Sequence, residues 1–388
     1  MGQLRPGAPI WQAAIDRAVR QVLVNSAAFA GAYPDDCTVE GVYPPRPLVA
    51  GSTNHGWTTG FVPGVEWAAW LVSGRNPLRR AGLAHVPGFA ERARRRQDTA
   101  THDLGFLYTL SCVAAWQMTG DELARATALR AADLLMERFL QPAGIAQAWG
   151  ASDDPAEQGR TIIDSLMNMP LLFWAAQASG RDELRQAALG HITQLRDHII
   201  RPDGSTFHTF YWHTASGAAL RGATQQGHSD DSAWARGQAW GILGFALAHR
   251  HTGDASLLRA ARRCADYYLA QVGADGVPTW DLALAGGDGQ PRDSSAAAIA
   301  ACGLLELAGQ LVGAGQDGDG YRQAAEAAVA TLATGYTPAA AAAGGPLLLH
   351  GVYDLPRGIG VDAGTLWGDY FYLEALIRLT LGDAPPWW

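Results

Sequence analysis

The sequence predicts an all-α fold, an (α/α)6 barrel, in which a buried inner ring of helices alternates with an exposed outer ring. Stretches that are apolar on every side recur along the chain, and most of them close on a glycine followed by a polar residue. Each is followed by an amphipathic stretch that carries its charges on one face. A helix that is apolar all round is buried, whereas an amphipathic helix lies at a surface. Six such alternations are typical of a double ring of helices.

The predicted inner helices are apolar all round and cover residues 61–73, 103–118, 163–178, 234–251, 294–312 and 366–381. The predicted outer helices are amphipathic and cover residues 9–30, 78–96, 121–139, 182–200, 255–272 and 321–335. Glycine suits the left-handed position after a helix, and the Asp or Asn that follows can cap the next helix. Residues 203–212 and 277–281 are candidates for short extended pieces, but no alternation is long enough to predict a large sheet. Without a proline-rich linker, we expect a single domain over residues 1–388.

Composition excludes several kinds of chemistry. The formal net charge is −8 and all 29 cationic residues are arginine, with no lysine in the chain. A Schiff-base lysine and a P-loop lysine are therefore impossible. The acidic balance argues against a nucleic-acid partner. The sequence contains no HExxH motif or Cys/His cluster, so we expect neither a metal nor an organic cofactor.

The cysteines and the apolar stretches bear on the compartment. Three of the four cysteines lie in apolar helical runs, and no two have CxxC spacing. We therefore expect reduced thiols and a cytoplasmic protein. The first twenty residues lack the apolar core of a signal peptide, and we expect no membrane association. A monomer or a small homo-oligomer is expected.

The barrel predicts where the functional site lies. If the inner helices are parallel, their N-termini meet at one end, and the long loops of the chain lead into that end. Long loops on a rigid scaffold usually carry function. These loops and helix starts hold carboxylates, amides, histidines and tryptophans together. Such a mixture suits a carbohydrate, because aromatic faces stack on C–H groups and polar groups bind hydroxyls.

Two aspartates at this end are candidates for acid–base catalysis. Asp103 begins the second inner helix, where it is either a catalytic group or only an N-cap. Asp164 lies among Ile162, Ile163, Leu166 and Met167, and an unpaired carboxylate there is costly. Either Arg160 neutralises it or it has a chemical role. An apolar surrounding and a nearby like charge would keep one of the two protonated near neutral pH, whereas a helix N-terminus acts in the opposite direction.

The stretch 227–241 forms the start of the fourth inner helix. Asp230 or Asp231 is a plausible N-cap. Trp234, Arg236 and Trp240 follow, and they either pack in the core or form a ligand-binding surface. Residues two apart on a helix diverge by about 160–200°. Trp234 and Arg236 can therefore share a ligand only if the first turn is frayed or the ligand lies over the helix tip, and we favour the tip.

Four motifs resemble glycoside hydrolase family 88, the unsaturated glucuronyl hydrolases. They are HDLGF at 102–106, IIDSLMNMPLLFWA at 162–175, DDSAWARGQAWGILGF at 230–245 and WGDYFYLEAL at 367–376. The resemblance covers most of the chain and the motifs occur in the order of the family. It implies hydrolysis of lyase-generated oligosaccharides that end in a 4,5-unsaturated glucuronic acid.

The resemblance also implies roles for individual residues. The aspartate that matches Asp164 protonates C4 of the double bond and then helps water to add at C5, and the one that matches Asp103 is the second essential carboxylate. The implied substrate-binding residues are Trp57, His102, His208, Gln226, Trp234, Arg236 and Trp240. Family members that favour sulfated substrates resemble one another in a Ser/Lys cluster. The matching segment here, 362–367, has no cation, which leaves a preference for sulfated substrates open.

Other functions of an (α/α)6 barrel remain as alternatives. They are an unsaturated rhamnogalacturonyl hydrolase, a glycosidase for saturated sugars, a sugar epimerase and a non-catalytic sugar-binding barrel. An ordinary glycosidase would also use two carboxylates. A binding barrel would need the tryptophans but would tolerate the loss of Asp164.

Overall fold

Two rings of helices form the protein, as the sequence predicts. The computed structural model describes residues 9–150, 157, 159–287 and 289–388. The inner helices are α2 (Phe61–Ser73), α4 (Leu104–Tyr108) continued by α5 (Ala114–Thr119), α7 (Met169–Ser179), α9 (Ala235–Thr252), α11 (Ser294–Gly313) and α13 (Leu366–Leu381). The outer helices are α1 (Pro9–Phe29), α3 (Asn76–Arg95), α6 (Glu122–Met136), α8 (Asp182–His198), α10 (Ala255–Gln271) and α12 (Asp319–Gly335).

The inner ring is closed by contacts between successive inner helices. The α4 helix contacts α7, α7 contacts α9, α9 contacts α11, and α11 contacts α13. The α13 helix contacts α2, and α2 contacts α5, which completes the circle. The apolar side chains of both rings form one contiguous buried core. These contacts confirm the predicted (α/α)6 barrel.

Glycine ends most of the inner helices as predicted. Gly74, Gly120, Gly180, Gly253 and Gly382 occupy the left-handed cap position, with φ of +64°, +72°, +74°, +70° and +80°. Asp121 and Asp254 then accept hydrogen bonds from first-turn N–H groups of the next helix. The predicted cap of α9 is wrong, because α9 begins at Ala235 after an uncapped Trp234. Asp230 instead accepts from the backbone N–H of Thr224 at 2.7 Å, within the preceding loop.

Irregular turns interrupt two inner helices near the mouth of the barrel. A π-helical turn, Thr109–Val113, joins α4 to α5. A 3-10 turn, Ile163–Asn168, precedes α7 and carries Asp164. The start of the third inner helix is therefore tighter than the predicted α-helix from residue 163. Turns of this kind are often found at functional sites.

Short antiparallel strands line the same end of the barrel. They are β1 (Phe139–Leu140) with β2 (Ile145–Ala146), β3 (Arg160–Ile162) with β4 (Thr209–Trp212) and β5 (Ala219–Ala223), and β6 (Gly351–Asp354) with β7 (Ile359–Ala363). The extended piece predicted at 203–212 contains β4. The piece predicted at 277–281 makes isolated bridges at Thr279 and Asp281 and forms no strand. The sequence did not predict the β6–β7 hairpin, because its strands are short, and buried and exposed residues alternate over only part of their length.

One helix in the described part of the chain is long and apolar enough to cross a membrane. It is α11, and 78% of its most apolar window is buried inside the protein. That burial agrees with its position in the inner ring.

Gly105 allows the start of α4 to lie against the turn before α7. A Cβ atom at Gly105 would fall on the Cα and the carbonyl oxygen of Asn168, far inside van der Waals contact. The Asn168 Oδ1 atom accepts from the backbone N–H of Phe106 at 2.8 Å. This close approach brings the segments that carry Asp103 and Asp164 together.

We predict that Gly105→Ala lowers the free energy of unfolding by about 3 kcal/mol or more, since backbone rather than a flexible side chain must move. Gly309→Ala is the matched control, because Gly309 is an exposed position of α11 with nothing within 4 Å of the added methyl group. This control should raise stability by about 0.4–1 kcal/mol. Urea unfolding measures both, and equal stabilities of the two variants would contradict the close approach at Gly105.

Candidate active site

A cavity of about 340 Å³ opens at the end of the barrel where the inner helices begin. All the predicted site residues except His102 line it. They are Trp57, Asp103, Asp164, His208, Gln226, Trp234, Arg236 and Trp240. The residues predicted from the sequence therefore line one cavity, although some of them are about half the chain apart in sequence.

The two aspartates share the base of this cavity. Their side chains are each 15% exposed. Asp103 lies at the N-cap position of α4, but its side chain makes no capping hydrogen bond. Its Oδ2 atom accepts from the Thr101 hydroxyl at 2.8 Å. The interpretation of Asp103 as a mere helix cap is therefore wrong.

His102 lies behind the two aspartates instead of on the cavity wall. It is fully buried, and its Nε2 atom lies 3.3 Å from Asp103 Oδ1 and 3.7 Å from Asp164 Oδ1. Burial and the charge of Arg138 lower the pKa of His102 to about 3. A neutral imidazole thus faces both carboxyl groups.

The surroundings separate the proton affinities of the two aspartates. Burial raises the pKa of Asp164 well above its ordinary value of 3.8, and the charge of Asp103 raises it further, against the opposing effect of Arg236. Burial also raises the pKa of Asp103, to about 6, although the side chains of Thr101 and Asn168 lower it. Two carboxyl groups this close do not both ionise easily. Near neutral pH the arrangement favours a protonated Asp164 beside an ionised Asp103.

Arg160 does not neutralise Asp164. Its guanidinium pairs with Glu157, donates to the Tyr211 hydroxyl at 3.0 Å and lies 4.9 Å from the ring centre of Trp149. It belongs to the upper wall of the cavity. Of the two explanations for a buried Asp164, neutralisation by Arg160 is therefore excluded.

Arg236 is held by the protein beneath the aromatic wall. It is 1% exposed, its Nη1 atom lies 3.4 Å from Asp293 Oδ2, and Nη2 donates to the carbonyl oxygen of Tyr353 at 2.7 Å. Its guanidinium lies 4.4 Å from the ring centre of Trp234. Trp234 precedes the helix, with φ −57° and ψ 120°, so the two side chains meet despite their spacing.

His208 and Gln226 are joined through the backbone. The His208 Nδ1 atom accepts from the N–H groups of Gln225 at 3.0 Å and Gln226 at 3.2 Å, which places the ring proton on Nε2. Burial lowers the pKa of His208 to about 3, so the ring is neutral. The His208 carbonyl accepts from the N–H of Ile163 at 3.0 Å, which ties this loop to the turn of Asp164.

Tryptophan rings form the opposite wall. Trp57 stacks on Trp367, with ring centres 5.1 Å apart and planes at 28°. The Trp57 Nε1 atom donates to the Tyr353 hydroxyl at 2.9 Å. Trp240 packs on Phe106 with ring centres 5.4 Å apart. These contacts fix the orientations of the rings.

Several cavity residues were not predicted from the sequence. They are Trp149, Glu157, Ile162, Gln225, Tyr353, Asp354 and Arg357, with Arg160 predicted only as a partner of Asp164. Most of them lie on the short strands or in the turns next to them, and such short strands give only a weak pattern in the sequence. The Tyr353-Asp354 pair and Arg357 border the β6–β7 turn, and the Pro-Arg-Gly at 356–358 is a turn signal that could have indicated it. In the described residues, no group of three or more His, Cys, Asp or Glu side chains is arranged to hold a metal ion.

Known proteins are similar to this chain in sequence and in fold. The family model described as Glycosyl Hydrolase Family 88 matches residues 38–352. The chain is 41% identical over 379 residues to the unsaturated glucuronyl hydrolase of Bacillus sp. (strain GL1), with 98% of this chain and 99% of the relative covered. It is also 41% identical over 365 residues to the unsaturated chondroitin disaccharide hydrolase of Streptococcus pneumoniae (strain ATCC BAA-255 / R6), with 94% and 90% covered.

Solved structures agree with these relatives. The unsaturated glucuronyl hydrolase from Bacillus sp. GL1 superposes with a TM-score of 0.91 at 42% identity, over 95% of this chain and 96% of that chain. An Asp-to-Asn mutant of the Streptococcus agalactiae enzyme, complexed with dGlcA-GalNAc6S, gives 0.84 at 37% identity over 97% and 93%. The chain therefore belongs to Glycosyl Hydrolase Family 88, as its four motifs predict.

Proposed function

We propose that this protein is an unsaturated glucuronyl hydrolase, which removes a terminal 4,5-unsaturated glucuronic acid from lyase-generated oligosaccharides. The observation that carries the proposal is the aspartate pair with separated proton affinities at the base of a tryptophan-lined cavity. Its relatives support it, since they are named unsaturated glucuronyl hydrolase and unsaturated chondroitin disaccharide hydrolase. A substrate of the same kind, dGlcA-GalNAc6S, is bound by the S. agalactiae relative.

Asp164 is the proposed proton donor. Its carboxylic acid gives a proton to C4, and the positive charge that develops at C5 is shared with the ring oxygen. Water then forms a bond to C5 and gives its proton to the Asp164 carboxylate, which restores the acid. The hemiketal opens to a ketone at C5, and the former ring oxygen becomes a hydroxyl group on C1. The hemiacetal at C1 then collapses to an aldehyde, the bond from C1 to the remaining sugar breaks, and that sugar leaves with the hydroxyl proton. Asp103 remains ionised and stabilises the developing positive charge.

The remaining site residues are proposed to bind the unsaturated ring. Trp57, Trp234 and Trp240 offer aromatic faces, and His208 and Gln226 offer neutral donors. Arg236 supplies positive charge beneath the site, although its terminal nitrogens are already engaged by the protein. We therefore propose that the positive charge of Arg236 attracts the substrate carboxylate electrostatically. His102, which the sequence motif predicts to bind substrate, is fully buried and does not line the cavity, so we propose no direct contact between it and the substrate.

The chain is proposed to act as one barrel domain in the cytoplasm, without a metal or an organic cofactor. One contiguous core supports a single domain. All four cysteines are free thiols, three of them buried, which suits a reducing compartment. The predicted absence of nucleic-acid and membrane partners, and the predicted monomer or small homo-oligomer, remain predictions.

We expect the purified protein to consume unsaturated uronyl disaccharides made by polysaccharide lyases. The conjugated double bond absorbs ultraviolet light, and its absorbance should disappear with time. Saturated analogues of the same disaccharides are the control, because they have no double bond to hydrate. Release of sugar from the saturated analogues at a similar rate would identify an ordinary glycosidase instead.

We predict that Asp164→Asn lowers kcat by at least about 10²–10⁴-fold, since the amide is nearly isosteric but has no proton to give. The variant should be at least as stable as the wild type at pH 7. In the unfolded chain Asp164 ionises above its ordinary pKa of 3.8, whereas in the fold its raised pKa keeps the proton. Ionisation therefore favours unfolding at neutral pH, and asparagine removes that effect. Thermal unfolding and kcat measured together check both statements, and near-wild-type turnover would exclude Asp164 as the acid.

We predict a bell-shaped pH dependence of kcat/KM whose acidic limb reports Asp103. As the pH falls through about 6, Asp103 takes up a proton and activity is lost. As the pH rises through the higher pKa of Asp164, the acid loses its proton and activity is lost again. Asp103→Asn should be almost inactive while still binding substrate. An acidic limb that persists in any residual activity of this variant would assign that limb to another group.

A further inference from the structure

We propose that His102 is a positioning residue that donates one hydrogen bond from Nε2 to the Asp103–Asp164 pair and so keeps the proton of the pair on Asp164. This inference rests on the proposed function and adds a role for a residue that the substrate does not reach. Its basis is the geometry of the buried His102 ring, whose Nε2 atom faces one oxygen from each carboxyl group.

The tautomer of His102 follows from the polar atoms around it. On the Nε2 side lie Asp103 Oδ1 at 3.3 Å and Asp164 Oδ1 at 3.7 Å. Neither Nδ1 nor Nε2 makes a hydrogen bond of good geometry within the described residues, so the acceptors near Nε2 decide between the two tautomers. A proton on Nδ1 would leave a buried donor unsatisfied and would turn the Nε2 lone pair toward two oxygens. A proton on Nε2 instead faces acceptors, so the Nε2–H tautomer is favoured.

The unequal distances favour Asp103 as the acceptor of the Nε2–H group in the resting enzyme. A donor favours the ionised form of the carboxyl group that it contacts. The nearer oxygen belongs to Asp103, so His102 stabilises the Asp103 anion and leaves the proton with Asp164. Both distances are longer than a good hydrogen bond, and Asp164 Oδ1 is itself buried without a partner. Catalytic hydrogen bonds are often long in the free enzyme and shorten in the complex with substrate.

The same N–H group can serve both aspartates during turnover. When Asp164 gives its proton to C4, it becomes an anion next to the Asp103 anion. The Nε2–H group lies between them and can shift toward Asp164, which limits the repulsion of the two charges. A charged imidazolium would not suit this task, because it would lower the pKa of Asp164 and remove the proton needed for the first step.

Charged and titratable groups from the neighbouring segments surround this junction. They are Arg92 on α3 and Asp98 after it, Arg138 after α6, His191 on α8 and Arg236 on α9. Arg138 disfavours a charged His102, and Arg236 lowers the pKa of Asp164. His191 is itself neutral, because burial lowers its pKa to about 3. His102 Nε2 lies 3.3 Å from an oxygen of Asp103 and 3.7 Å from an oxygen of Asp164.

The first test uses the wild-type protein and nitrogen-15 NMR of its histidine rings. We expect Nε2 of His102 to carry the proton and the ring to remain neutral between pH 5 and 9. Its nitrogen signals should shift with a midpoint near pH 6, when Asp103 ionises. A proton on Nδ1, or an imidazolium that forms within this range, would overturn the proposal without any variant.

The second test compares two substitutions. His102→Phe keeps a ring but removes the donor, so the acidic limb of kcat/KM should move up by roughly one pH unit, the size expected for a lost hydrogen bond to a charged group. Its kcat should fall at least about tenfold. His102→Gln can place an amide N–H near the Nε2 position and should return the limb toward the wild-type value. An unmoved limb in His102→Phe, or the same moved limb in both variants, would contradict the proposal.

His85→Phe is the matched control. His85 is 5% exposed, and its Nε2 atom lies 3.3 Å from Glu66 Oε2, the same distance as between His102 and Asp103. It does not line the active-site cavity. This substitution should lower stability and leave the pH limb in place. If the wild type consumes no unsaturated disaccharide, the proposed function fails, whereas the NMR result still decides the position of the His102 proton.

Discussion

The structure depends on one constraint, which is that two carboxyl groups share a buried space with a neutral imidazole. Taking a charge out of water is costly, and taking two like charges into one space is more so. The pair therefore holds a proton that an exposed aspartate would lose. This cost lowers the stability of the folded protein, and burial of the contiguous core of the double ring offsets it. The close contact of Gly105 with Asn168 keeps the pair from moving apart.

Arg236 connects this constraint to the rest of the cavity. Its guanidinium joins α9 to the carbonyl oxygens of Val352 and Tyr353 on the β6–β7 hairpin and to Asp293 at the start of α11. Asp293 in turn accepts from the N–H groups of Ser295 and Ala296 and caps α11. One buried cation thus fixes three elements of the ring relative to one another. Its charge still lowers the pKa of Asp164, so the same side chain sets both geometry and proton affinity.

The sequence predicts the helices well, because the periodicity of apolar residues reports burial directly. It also predicts the two aspartates and the tryptophans, since an aspartate among isoleucines or an Arg between tryptophans is costly unless it has a role. The prediction from sequence fails where contacts that a local pattern does not show determine the structure. Asp230 looks like a helix cap in sequence, but it binds Thr224 in its own loop. The β6–β7 hairpin and Arg357 are held by contacts with Arg236 and Gln225, which no local pattern reveals. His102 is buried behind Asp103, the next residue of the HDLGF motif. This burial likewise depends on how α4 and α7 are arranged.

Neutral histidines are a consequence of this arrangement. His102, His191 and His208 all lie near the aspartates, and burial lowers the pKa of each to about 3. The His191 Nδ1 atom accepts from the N–H of Ala146 at 3.1 Å, so Nε2 donates to the Ser165 hydroxyl at 2.7 Å, next to Asp164. Each ring is therefore an uncharged group, and hydrogen bonds fix the orientation of His191 and His208. Imidazolium ions in these positions would stabilise an ionised Asp164 and deprive it of the proton that it must donate. The site thus orients its groups with neutral donors, and positive charge acts on Asp164 through Arg236, whose field is partly balanced by Asp293.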